Sequence, residues 1–458
     1  MAMGDLDQLA AALQGTLIRS SDTEYEHARK VHNGMIDRRP AAIARCASVA
    51  DVVACVRFAA RTRLLLAVRG GGHSLGGFST CDGGLVLDMS RLTDVQVDAA
   101  AMLAKVGGGC RWHDVDHATH AFGMATPNGL ISTTGVGGLT LGGGIGHLSR
   151  RFGLTIDNLL SADMVLADGS FITADRERNE DLFWAVRGGG GNFGVVTSFT
   201  FRLHALHTVL AGPMFWPIQS APEMLAKFQD FIVDATEDIS GFFTFQTIAP
   251  TAAFPDALHG QSTCGVMWTY TGAPEQLKQI LEPVRRWRKP LFESIRSMSV
   301  PVLQSMFDAH RPRGHQWCLK TDVFDALSEE AIRTHSQYGS NLPTAISTIH
   351  LYPINGAVHR KGESETAFAF RNALWAEAIA GVDPCPENRD AIVNWATECW
   401  QAVHPYSAGG AYINFMMDEA PNGIAVTYGR NYSRLRQVKA RYDPDNLFRV
   451  NHNISTKG

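Results

Sequence analysis

Nine residues, Arg69-Gly70-Gly71-Gly72-His73-Ser74-Leu75-Gly76-Gly77, constrain this chain more than any other segment. They follow Leu64-Leu65-Leu66-Ala67-Val68, a short apolar run with the composition of a buried strand. Glycines at this density let the backbone turn sharply and aim consecutive N–H groups into one concavity, which suits phosphate oxygens. Arg69 at its entrance suits a pyrophosphate. A phosphate cradle alone does not need His73, whose neutral ring carries a nucleophilic nitrogen.

With 458 residues, two or three domains are expected. The chain's 44 glycines cluster between Gly70 and Gly194, which places the ligand-binding half of the chain there. A net charge of −4 without long basic runs argues against nucleic acid or a membrane surface as partner. The eight cysteines lack C-x-x-C spacing, so neither a zinc site nor a disulfide framework is indicated. Met1 to Ile18 lacks a basic and apolar leader pattern, and no apolar run reaches bilayer length. The expected location is a reduced cytoplasm.

Up to residue 207 the pattern is one α+β nucleotide-binding unit. A helix over 50–61 precedes the strand 64–68, and further short strands are expected at 84–88, 104–106, 163–166 and 195–203. Residues 208–429 read as a second, substrate-binding unit with helices at 222–234 and 274–287. Its strands, at 263–270, 316–324, 345–352 and 411–416, alternate apolar and polar residues. That pattern predicts an antiparallel sheet covered by helices on one face. Alternation pairs His350 with Tyr352, Tyr412 with Asn414, and Trp268 with Tyr270, and each pair is a candidate for the substrate wall. Residues 430–458 return to the first unit.

Several motifs point away from common enzyme classes. Gly189-x-Gly191-x-x-Gly194 matches the dinucleotide fingerprint, but it opens the β-branched run Val195-Val196-Thr197 where a Rossmann fold requires a helix. No P-loop and no Ser/His/Asp order is present in the sequence. His113, His117 and His120 fall on one helical face, which reads as a solvated amphipathic helix, so no metal is expected. Cys110, after three glycines, reads as a small buried hydrophobe. A second glycine region runs from Gly129 through Gly137 and Gly138 to Gly146 and suits close backbone approach to a large flat ligand.

Four segments together resemble the berberine-bridge-enzyme-like FAD-linked oxidases of the vanillyl-alcohol-oxidase (PCMH-type FAD-binding) superfamily. They are Arg69 to Gly77, Gly137 to Gly146, Asp181 to Thr197, and the tail from Asn431-Tyr432 to Asn446-Leu447-Phe448. The resemblance implies FAD extended across the first unit. Cofactor contacts would come from Arg69, Gly70, Gly71, Gly72, His73, Ser74, Gly76 and Gly77, then from Gly129, Thr133, Thr134, Gly137, Gly138, Gly142, Gly143, Gly144 and Gly146. Gly194, Val195, Val196, Asn451 and Asn453 would complete the set. His73 would carry the covalent bond to the flavin. Ile131 stands where many relatives have a second flavin-linking cysteine, so a single link is expected. Thr134 stands at the position that gates oxygen, where efficient oxidases have valine. The stretch from His359 to Glu363 lacks the catalytic acid of the alkaloid-cyclising members.

The resemblance further implies hydride transfer from a C–H next to O–H or N–H of a small molecule to the flavin, with O2 reduced to hydrogen peroxide. Tyr412, Asn414 and Tyr352 are the candidate catalytic residues, and Trp268, Tyr270 and His350 the candidate substrate contacts. A flavin dehydrogenase or oxygenase-type enzyme with another electron acceptor remains open, as does a flavin-binding protein without turnover.

Overall fold

The structure is a computed structural model and describes residues 3–417 and 421–456. The first unit is built on two sheets. Strand Leu66–Arg69 pairs in parallel with Leu85–Asp88, which pairs in parallel with Ala42–Arg45, and Thr16–Arg19 adds an antiparallel edge. A parallel centre needs a crossover, supplied here by the helix Val49–Thr62. Ser48 caps that helix by accepting the N–H of Asp51, and Arg63 ends it at φ 54°. The second sheet is a five-stranded antiparallel one in which Val195–Arg202 lies between Leu103–Gly107 and Leu159–Val165. The glycine fingerprint therefore opens a strand.

A nine-stranded antiparallel sheet dominates the middle of the chain. Its central order includes Thr208–Pro217, Ser262–Tyr270, Ile239–Thr247, Thr348–Pro353, Trp375–Asp383 and Gln316–Lys320. Helices Ala221–Asp234, Pro274–Trp287, Glu329–Gly339 and Arg389–Val403 supply residues to the hydrophobic core on one of its faces. Buried residues on the other face, among them Phe242, Met267, Tyr352 and Ala378, form a separate cluster that also holds Ile145 and Tyr412. The expected α+β class, with an antiparallel sheet covered on one face by helices, is what the structure has.

Two expectations about elements are corrected. Residues 411–416 do not form a strand; Ile413–Phe415 is a single 3-10 turn. Gly409 and Gly410 before it have φ of 78° and 74°, a left-handed backbone that interrupts an extended strand. Residues 316–324 are two strands, Gln316–Lys320 and Val323–Phe324, each on the strand Trp375–Asp383. Leu435 and Val438 of helix Tyr432–Tyr442 share a core with Phe183, Trp184 and Phe199.

Candidate active site

One cavity of about 620 Å³ lies between the glycine loops of the first unit and the open face of the large sheet. That size is in the range of small-molecule and cofactor sites. Gly70, Gly71, Gly72, His73 and Ser74 line it. So do Gly129, Thr134, Gly137, Gly138, Gly194, Val195, Val196 and Asn451.

Close backbone packing builds its floor. A Cβ on Gly71 would sit 2.5 Å from the nitrogen of Gly135, and one on Gly135 would sit 2.3 Å from the nitrogen of Gly71. By contrast, a Cβ on Gly138 or Gly191 would meet no protein atom within 4 Å, so those backbones face open space. The side-chain oxygen of Asn451 is buried without a hydrogen-bond partner among the described residues. A space of this size with bare backbone on its walls and an orphaned acceptor fits FAD. Gly70 to Ser74, Val195, Val196 and Asn451 would hold it.

His73 projects from its loop and stacks on His32 with ring centroids 3.8 Å apart. Its Nε2 lies 3.4 Å from Thr133 Oγ1. Burial, reinforced by His32 and Arg111, holds its pKa well below the usual histidine value. The ring is therefore neutral at physiological pH, the form with a nucleophilic nitrogen. Neither His32 nor Arg111 carries a sequence signal for this role; His32 sits in the aperiodic stretch Val31-His32-Asn33.

Several predicted cofactor contacts are placed elsewhere. Arg69 is directed away from the large cavity: its Nε donates to Ser79 O at 3.0 Å, its Nη1 to Ala28 O at 2.5 Å, and Asp88 lies at 3.7 Å. A buried guanidinium takes the nearest acceptors, and here those are backbone carbonyls inside the fold. Gly76 packs on Phe78 and Met417 and Gly77 on Ile36, so both serve the loop's own packing. Thr133 borders a smaller cavity of about 270 Å³ behind His73. Asn453 does not line the large cavity, although its Oδ1 is buried without a hydrogen-bond partner among the described residues.

Gly142, Gly143, Gly144 and Gly146 also stand behind the cavity wall: Gly142 packs on Asn414, Gly143 and Gly144 on Tyr412, and Gly146 on the carbonyls of Asn128 and Gly129. Gly144 has φ +84°, and a Cβ on it would lie 2.1 Å from Thr155 Oγ1. This backbone presents the N–H groups of Gly144 and Ile145 to the Tyr412 oxygen, each at 3.0 Å. Asn414 Nδ2 donates to the same oxygen at 2.8 Å and to Leu139 O at 2.9 Å. Burial raises the Tyr412 phenol, and these three donors pull it back down, with burial prevailing. Tyr412 and Asn414 both line the cavity, so the pairing read from alternation is met although the strand is not.

His350 and Tyr352 are on the cavity face of their strand, with His350 Nδ1 2.6 Å from the Tyr352 hydroxyl. Burial lowers His350 to about 3 and raises Tyr352 far above its ordinary value. Trp268 and Tyr270 are not in the site. Both side chains are on the helix-covered face, and Trp268 packs edge-on against Phe228 and Phe231. Their neighbour Met267 faces the cavity. Alternation separates the two faces of a strand but does not say which face meets the helices, and here the bulkier aromatics do.

Known proteins agree with this architecture. Residues 40–175 match the family model described as FAD binding domain, and residues 411–455 the one described as berberine and berberine like. An FAD-linked oxidoreductase of Dictyostelium discoideum is 32% identical over 98% of this chain and 96% of its own. The (R)-6-hydroxynicotine oxidase of Paenarthrobacter nicotinovorans is 28% identical over 98% of each chain. The crystal structure of 6-hydroxy-D-nicotine oxidase from Arthrobacter nicotinovorans superposes with a TM-score of 0.86 at 26% identity, covering 97% of this chain and 98% of that one. The BBE-like 1 protein of Physcomitrella patens gives 0.87 at 26% identity over 97% of each. The fold and the site define a flavin-dependent oxidoreductase. The chain belongs to the berberine-bridge-enzyme-like FAD-linked oxidoreductases of the vanillyl-alcohol-oxidase superfamily.

Proposed function

We propose that this chain is an oxidase with FAD attached through His73 alone, which oxidises a C–H adjacent to an O–H or N–H in a small organic molecule. Bound in the cavity against Gly70 to Ser74, Val195 and Val196, FAD would supply a two-electron acceptor for the substrate hydride, with O2 as the terminal acceptor and hydrogen peroxide as its product. The observation that carries the reading is the convergence of three N–H donors on the Tyr412 oxygen, in the cavity that His73 also lines. A phenol has two lone pairs and a phenolate three, so these donors offset part of the cost that burial puts on the ionised form, the one that accepts a proton from substrate. Asn414 fixes the phenol's position. The His350–Tyr352 pair, kept neutral by burial, offers the substrate a hydrogen-bonding edge. Neutral His73 has the nucleophilic nitrogen for the flavin bond, and Ile131 offers no second nucleophile.

Screening primary alcohols, sugars and hydroxylated cyclic amines for peroxide release tests the reaction. At least one class should release peroxide, while bleaching without reoxidation by air would assign a dehydrogenase instead. The attachment is read on a denaturing gel. The wild-type band should fluoresce as flavin and His73→Ala should be dark; a dark wild-type band sinks the covalent link.

A further inference from the structure

The substrate half of the cavity contains a cation that the described carboxylates leave unneutralised. Arg311 follows the turn Asp308–His310 and lines the cavity together with Phe242, Thr348, His350 and Tyr352. Its Nη1 donates to Ile346 O at 2.9 Å and, at the limit, to His310 O at 3.5 Å. Its Nη2 lies 3.4 Å from Thr348 Oγ1, and its Nε–H makes no hydrogen bond among the described residues. The guanidinium stands 5.5 Å from the Trp317 ring centroid, which steadies it without cancelling its charge.

The nearest carboxylate in sequence is already engaged. Asp308 accepts the backbone N–H of Ser132 at 3.1 Å and its hydroxyl at 2.5 Å. Two other enclosed arginines show how this fold treats a cation it needs only for structure. Arg371 meets Asp157 in a two-pronged pair, both contacts 2.8 Å. Arg150 is wrapped by the carbonyls of Ile232, Ala235 and Ile239 and by Asn355. Arg311 has neither arrangement and leaves a donor edge open to the cavity. Burial lowers its pKa only to about 10, so it stays charged at neutral pH, and raised Tyr352 is not its counter-ion. An enclosed guanidinium without a counter-charge is unfavourable unless a ligand supplies one.

We propose that the molecule oxidised in this cavity carries a carboxylate, which the open edge of Arg311 binds beside His350 and Tyr352. A planar fork of N–H donors matches the two oxygens of a carboxylate. Arg311 would then decide which substrates are accepted and hold the reacting carbon at a set distance from the acid group. This rests on the reading of the cavity as an oxidation site, and the test separates the two.

Titration calorimetry on the purified holoenzyme compares phenylacetate with its neutral isostere phenylacetamide. Phenylacetate should bind roughly 10- to 100-fold tighter, the usual effect of a charge-assisted pair. Arg311→Gln should shrink that preference to within about threefold at unchanged phenylacetamide affinity, and Arg311→Lys should keep part of it. Equal binding of the two probes, or binding of neither, overturns the proposal. So does an undiminished preference in Arg311→Gln. A variant that loses flavin but keeps the preference would assign Arg311 to the cofactor instead. Should Arg311→Gln fail to fold, the wild-type comparison and Arg311→Lys still decide. Anion preference in a protein that releases no peroxide would leave this inference standing and overturn the oxidase reading, and peroxide release without anion preference would do the reverse.

Discussion

Tyr412, a residue only 2% exposed, places its oxygen under three N–H donors at the edge of a cavity. Because burial holds the phenol above its ordinary value, the ionised form grows as pH rises. A base in that position gives kcat/KM that climbs about tenfold per pH unit through neutrality and flattens above the phenol's pKa. Tyr412→Phe should lower kcat by roughly 10²- to 10⁴-fold and remove that slope. A slope that survives in the variant assigns the base elsewhere. Tyr412 and Asn414 were legible because they stand in a Tyr-x-Asn spacing matched to a family pattern, and His73 because no phosphate cradle needs an imidazole. Arg311 was not. The run His310-Arg311-Pro312-Arg313-Gly314-His315 is rich in cations, but only the folded chain shows that Arg311 meets the cavity without a carboxylate beside it among the described residues.

At the level of elements, the strand–helix contacts of the large sheet hold a second buried ionisable pair with no route to the cavity. His335, on helix Glu329–Gly339, has Nδ1 2.7 Å from Ala331 O and Nε2 2.7 Å from Glu377 Oε1 on strand Trp375–Asp383. Both residues are fully buried. A ring nitrogen facing a carbonyl must be a donor, and a second facing a carboxylate completes an imidazolium. Burial lowers the His335 pKa, but Glu377 overrides it and the net shift is upward. A raised folded-state pKa contributes stability that is fully present below about 6.5, the unfolded value, and is lost as pH rises through the folded one. The urea midpoint should therefore fall as pH is raised above 6.5, and fall less in His335→Gln. Parallel declines would exclude this pair as the cause. Strand alternation pairs His350 with Tyr352 on the cavity face and Trp268 with Tyr270 on the helix-covered face. Both faces are buried, so polarity could not label them; the helices decide, and their docking is a long-range fact.

Across the whole molecule, the tail controls the far end of the cavity through one buried cation. Lys439 Nζ donates to Asn192 O at 2.7 Å, Phe448 O at 2.9 Å and Asp443 at 2.6 Å, with Lys439 and Asp443 both fully buried. Asp443 also accepts the N–H groups of Leu447 and Phe448, each at 2.8 Å. This knot ties the segment before Val195 to the segment that ends in Asn451, and both line the cavity. The tail's return was legible as a resemblance in Tyr442-Asp443-Pro444-Asp445-Asn446, whereas the lysine that closes the knot stood outside that pattern. Replacing it with methionine keeps the volume but strands Asp443 without its counter-charge. Removing one partner of a buried ion pair costs about 3–5 kcal/mol. Lys439→Met should lose that much stability in urea unfolding, and the change in flavin absorbance and fluorescence that marks opening of the cavity should come at lower denaturant than in wild type. Lys439→Met together with Asp443→Asn removes the stranded charge and should recover part of the loss. If the single variant unfolds as wild type does, the tail is held by its apolar contacts with Phe183 and Trp184 and the knot is incidental.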